Sequence, residues 1–200
     1  MDAETALGAA VLVLQRQRPY LAAALWAMRR VSTPGLGTMG VDAGWRLYYD
    51  PSALEAWAVD DISGVVYHEV CHLLREHADR ASVADDTVLW NLAADAEIND
   101  DLAAEHMSLP GEPFYPWSFD QPAGKLAEEY YAALRDRPSL PATLWPAAGA
   151  CGGAATGELL DGIERLASTK AQSSGERQSW RIPTEIARSE QELIRRRVAS

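Results

Sequence analysis

Tyr67-His68-Glu69-Val70-Cys71-His72-Leu73-Leu74 is the stretch on which the reading of the whole chain turns. It carries the pattern His-Glu-x-x-His among apolar residues at helical spacing: Ile62, Val65, Val66, Val70, Leu73 and Leu74. On a helix His68 and His72 are one turn apart on the same face. Two imidazoles so placed can reach a tetrahedral Zn2+ at about 2.0–2.1 Å. Glu69 lies about 100° further round the helix. That puts it beside such an ion rather than on it, where a carboxylate can take the proton of a bound water. Cys71 diverges from His72 by the same angle of about 100° and reads as a small buried hydrophobe rather than a nucleophile.

A catalytic zinc site needs a third protein ligand and one open position. The pattern predicts one uninterrupted helix from about Asp61 to Arg80. It carries His77 about 13.5 Å of rise beyond His68, away from the ion, and pairs Glu76 with Arg80. The next helix, from about Asp86 to Glu105, supplies better candidates. Asn91, Asp95 and Asn99 recur at i, i+4 and i+8 on the side that also carries Ala94, Ile98 and Leu102. Polar groups in an apolar stripe demand partners, and a metal with its histidines would supply them. Glu97 faces away on the same wheel. The expected ligand set is therefore His68, His72 and Asp95, with one Zn2+ per chain. Asn99 and Asn91 would hold a histidine or the Asp95 carboxylate in place. Tyr115 and His106, which follow this helix, are candidate donors to a developing oxyanion.

Upstream, Thr5–Gln17 reads as an apolar helix, and Pro19 opens a second that reaches Arg30. Asp42-Ala43-Gly44 makes a hairpin loop between two short strands. In the second strand Trp45, Leu47 and Tyr49 face one way, and Arg46 and Tyr48 the other. Residues 106–124 hold four prolines and four aromatics and read as a long ordered loop. Leu126, Tyr130 and Leu134 mark a further helix. Residues 138–157 look like a linker, and a last amphipathic helix covers about 184–198.

The 200 residues suit one compact domain, and 48% hydrophobic content supports a real core. Two cysteines, Cys71 and Cys151, exclude a disulfide scaffold. The net charge of −11 argues against a nucleic-acid binder. Sixteen acidic and three basic side chains fall between Asp42 and Glu112, whereas six Arg and three Glu lie from Arg177 onward. Such runs are solvated faces or, for the basic tail, a dock for an acidic partner or for the acidic middle. Asp2 and Glu4 stand where a signal peptide needs positive charge. The apolar run Ala6–Leu14 is far shorter than the roughly 20 residues of a membrane span. The expectation is a cytoplasmic protein with no membrane or nucleic-acid partner. Arg outnumbers Lys sixteen to two, a composition that suits a GC-rich bacterial source.

On these residues the chain resembles the zincin metallopeptidases. It is most similar to a bacterial family of metallopeptidase domains usually followed by a von Willebrand factor A-like domain and encoded near MoxR-type AAA+ ATPases. The matching stretches are residues 45–51, 68–77, 90–99 and 126–134, with 151–157 (Cys-Gly-Gly-Ala-Ala-Thr-Gly) more loosely. The resemblance implies an α+β fold, mostly helical and zincin-like, with a small N-terminal β-sheet. The domain would span 1–157, with a C-terminal helical tail over 158–200. It implies zinc-dependent hydrolysis of peptide bonds, with His68 and His72 as ligands and Glu69 as general base. It also implies that the strand with Trp45, Leu47 and Tyr49 is the sheet edge along which an extended peptide substrate lies. A separate von Willebrand factor A-like protein and a MoxR-type ATPase are the implied partners. The alternative is a non-catalytic, metal-stabilised partner or adaptor of such an ATPase.

Overall fold

The computed structural model describes residues 1–137 and 187–199. It is mostly helical with one small sheet, the expected α+β class. The loose match at 151–157, the linker at 138–157 and the boundary between 157 and 158 lie outside the described residues. So do Cys151 and the expected start of the last helix at 184.

Helix α1 (Ala3–Gln17) begins where the Asp2 side chain accepts the Thr5 N–H. Ala3, Ala6, Leu7, Ala10, Val11 and Leu14 form its buried stripe. A 3-10 turn at Pro19–Leu21 leads into α2 (Ala22–Ala27). Here the expected helix to Arg30 is corrected. Met28 turns extended, the Arg29 N–H bonds the Trp45 carbonyl, and Arg29–Ser32 becomes strand β1. The segment gains a ladder with residues 17 positions ahead, a pairing with no local signature.

Strands β2 (Met39–Val41) and β3 (Arg46–Tyr49) form the expected hairpin. Asp42 fastens it: Oδ1 accepts the Gly44 and Arg46 N–H groups, and Oδ2 the Arg46 Nε–H and the Tyr48 hydroxyl. The sheet order is β1-β3-β2, with β1 parallel and β2 antiparallel to β3. The strand carrying Leu47 and Tyr49, with Trp45 at its head, is therefore central and not the edge. The short β1 claims the side of β3 that an edge would leave free. All four β3 residues are buried, so the two faces do not divide into core and solvent. The edge beside the long helix that follows is β2.

Asp50 caps α3 (Pro51–Ala56) through the Ser52 N–H and also accepts the N–H groups of Gly35 and Gly37. Helix α4 (Val59–Leu74) packs on α1, β2 and α6 (Thr87–Ala104). Gly64 lets the chain at Ser108 cross α4: a Cβ there would stand 1.8 Å from the Ser108 carbonyl oxygen. The second correction follows α4. The chain does not continue as helix to Arg80. Arg75 ends the helix, Glu76 takes the left-handed conformation (φ 57°), and a separate short helix α5 runs His77–Arg80.

Helix α7 (Ala127–Arg135) packs on α6 around Trp90, Phe114, Phe119, Tyr130 and Leu134. The aromatic loop thus plugs this second core, with Phe114 stacked on Phe119. The last described helix, α8 (Arg188–Ala199), lies against α2 and sends Ile194 into the main core. Its arginines meet the acidic middle: Arg195 pairs with Glu76, and Arg188 with Asp79. Glu76 is thus taken by α8 rather than by Arg80. Among the described residues no helix is long and apolar enough to cross a membrane.

Candidate metal centre

Helices α4 and α6 cross so that His68 and His72 from one and Asp95 from the other meet in the interior, each no more than 3% exposed. The two Nε2 atoms are 2.9 Å apart. Asp95 Oδ1 stands 3.2 Å from His72 Nε2 and 3.5 Å from His68 Nε2. Three ligands held tetrahedrally at zinc bond lengths would be about 3.3 Å apart, so the triangle has the dimensions that a small cation requires. Asp95 Oδ1 faces both rings yet makes no hydrogen bond. A buried carboxylate oxygen without a proton to share fits a cation.

The electrostatics match the geometry. Burial opposes charge on Asp95, but the two histidines outweigh it and hold the carboxyl well below the usual range. Burial also opposes charge on His68, and the Asp95 carboxylate reverses this, raising its pKa. His72 is pushed down to about 3 by burial, so its ring is neutral and able to ligate.

Each ring is held from behind. His68 Nδ1 is 2.9 Å from Asn99 Oδ1, and Asn99 Nδ2 donates to the Phe114 carbonyl. The second bond fixes which end of the amide faces the ring. His68 therefore carries a proton on Nδ1, with Nε2 turned to the centre. His72 Nδ1 is 2.9 Å from His77 Nδ1. The break at Glu76 folds His77 back behind His72 instead of carrying it away, and the ring is fully buried. Glu97, expected to face away, is buried with its carboxylate among His77, Arg80, Arg75 and the Ala127 N–H. Spacing separated Asp95 from Glu97 because they lie on different sides of α6. It gave no sign that the second side is also enclosed.

Glu69 is fully buried, and neither carboxylate oxygen makes a hydrogen bond of normal geometry. Burial pushes its pKa up to about 8. The neighbouring His68, and after it the Val41 amide of β2, partly offset that shift.

The other candidates divide. Asn91 is half-buried with Oδ1 unpaired and holds neither histidine. Tyr115 is half-buried and stacked on Trp117, next to the Phe114 carbonyl that holds Asn99. His106 is exposed in a left-handed turn past the end of α6, about 16 Å of helical rise from Asp95, and is not brought to the centre. Burial raises the Cys71 thiol to about 12, which rules it out as a thiolate nucleophile. A cavity of about 250 Å³ reaches His72 between the hairpin at Asp42–Trp45, Glu76 and the α8 residues Gln191 and Arg195. Gln191 Nε2 donates to the Ala43 carbonyl and Arg195 Nε to that of Leu73, so α8 forms one wall.

The family described as "Putative metallopeptidase domain" matches residues 2–195, and the chain belongs to that family. No curated protein and no solved structure gives a match.

Proposed function

We propose, from that membership, that the chain is a zinc-dependent peptidase of the His-Glu-x-x-His type. The observation that carries the proposal is the buried triangle of His68, His72 and Asp95 with the unpaired Glu69 carboxylate beside it. Zinc so held would polarise a scissile carbonyl and make its bound water acidic near neutral pH. Beside such an ion Glu69 would serve as the base, taking a proton from the attacking water and returning it to the leaving amine. A pKa near 8 is what a desolvated carboxylate has before the cation is present. Asn99 keeps His68 in the tautomer that ligates through Nε2. The substrate is a peptide or protein segment in extended form. The family resemblance supports a MoxR-type ATPase and a von Willebrand factor A-like protein as partners.

The test pairs Glu69→Gln with the wild type. Metal content after zinc loading is measured beside cleavage of a broad peptide library. The variant should keep about one zinc per chain and lose roughly 10²–10⁴-fold in rate. Cleavage at the wild-type rate would remove Glu69 as the base. Zinc bound by both proteins with cleavage by neither would favour the adaptor reading.

A further inference from the structure

We infer that His77 and Glu97 are positioning residues that fix His72 as an Nε2 ligand. The inference rests on the metal reading above and goes beyond it, because neither residue touches the triangle.

The relay starts at Glu97 and runs inward. Its carboxylate takes Arg80 Nη2 at 2.9 Å, the Ala127 N–H at 2.6 Å and Arg75 Nη1 at 3.3 Å. These donors keep it ionised, and an ionised carboxylate only accepts. His77 Nε2 lies 3.4 Å from Glu97 Oε2 in a fully buried place, close enough for charge to act although the pair lacks hydrogen-bond geometry. A lone pair on Nε2 would face that charge with no solvent between them, so the proton of the neutral ring sits on Nε2. The Nδ1 of His77 is then an acceptor. Its neighbour at 2.9 Å, His72 Nδ1, must donate. A neutral imidazole has one proton, so His72 Nε2 is left with its lone pair toward His68 and Asp95. One carboxylate thus sets the tautomers of two rings in series.

The backbone holds the relay in place. The left-handed Glu76 turns the chain so that the first residue of α5 lies behind α4, and Trp90 Nε1 donates to the His77 carbonyl at 3.1 Å. A left-handed non-glycine residue costs energy. Here the turn brings His77 to His72. The two ligands are supported by unlike means, Asn99 for His68 and the His77–Glu97 pair for His72.

Two variants of similar size separate the hydrogen bond from mere filling. His77→Asn keeps an acceptor oxygen near the place of Nδ1, and His77→Leu does not. Zinc affinity of the full chain is measured by competition with a chromophoric chelator. Ring tautomers are read from long-range proton–nitrogen NMR spectra of the metal-free, histidine-labelled wild type. The Leu variant should bind zinc about 10–100-fold more weakly, and the Asn variant should recover most of that loss. His72 should carry its proton on Nδ1. Equal affinities for the Leu variant and the wild type, or equal losses in both variants, overturn the inference. A His72 proton on Nε2 overturns it as well, and that reading stands even if the Leu variant does not fold. A wild type that shows the Nδ1 tautomer but takes up no zinc overturns the metal reading instead.

Discussion

Helices α1 and α6 are both largely buried, yet they bury different things. The hidden face of α1 is wholly apolar, from Ala3 to Leu14. Helix α6 is enclosed from Leu92 to Asp100 and takes Asp95, Glu97, Asn99 and Asp100 inside with it. Every one of these four has a defined neighbour: Asp95 the two histidines, Glu97 His77 and Arg80, Asn99 His68, and Asp100 the Tyr130 hydroxyl. An apolar stripe contributes stability through area removed from water. A buried carboxylate contributes little net stability but specifies one arrangement of its partners. The contrast assigns scaffold to α1 and site to α6, and substitutions should divide along that line.

The largest effect is expected at Asp95→Asn. Loss of the ligand charge should reduce zinc affinity by more than the roughly 10–100-fold typical of groups behind a ligand. Thermal unfolding of the metal-free protein should change little. Calorimetric titration with zinc, run beside a melt, checks both halves. A metal-free variant that unfolds would make α6 scaffold as well. Leu7→Ala is the mirror experiment. It should cost about 2–5 kcal/mol in denaturant unfolding and leave zinc affinity of the folded protein as it was.

Gly64→Ala tests the crossing of α4 under the chain at Ser108. The added methyl meets a backbone oxygen, so a loss of about 1–3 kcal/mol or more is expected. Wild-type stability in that variant would mean that the crossing yields freely. The smallest effect belongs to α7. The Tyr131 hydroxyl accepts the N–H groups of Asp85 and Asp86 and donates to the Asp85 carboxylate, which ties α7 to the start of α6. Tyr131→Phe should cost about 0.5–1.5 kcal/mol. It should leave the triangle untouched, as metal affinity would verify.

The contrast also explains what the sequence made legible. The two histidines, the neighbouring glutamate and the choice of Asp95 over Glu97 follow from angles on a helix, which are local. So does the hairpin, because Asp42 caps its own loop. What escaped depends on distant partners. Arg75 ends α4 while its guanidinium is held by the Glu97 carbonyl and carboxylate and by Asp101. Nothing in Leu-Leu-Arg-Glu-His announces a left-handed glutamate, so the local pattern extends the helix through His77 although α4 stops short of it. Strand β1 escaped for the same reason. Arg29–Ser32 has no alternation of its own and is a strand because β3 lies beside it. With β1 on its other side, the strand that the resemblance implies to be an edge is central.

The wall that α8 provides has a consequence in time. The triangle is drawn from residues 68–95, whereas Gln191 and Arg195, which bound the cavity at His72, follow it by about a hundred positions. At roughly 5–20 residues per second, residues 1–137 leave the ribosome seconds before α8 does. During synthesis the histidine side of the triangle is therefore built before α8 can close it, and the order of the chain fixes an interval in which His68 and His72 are open on that side.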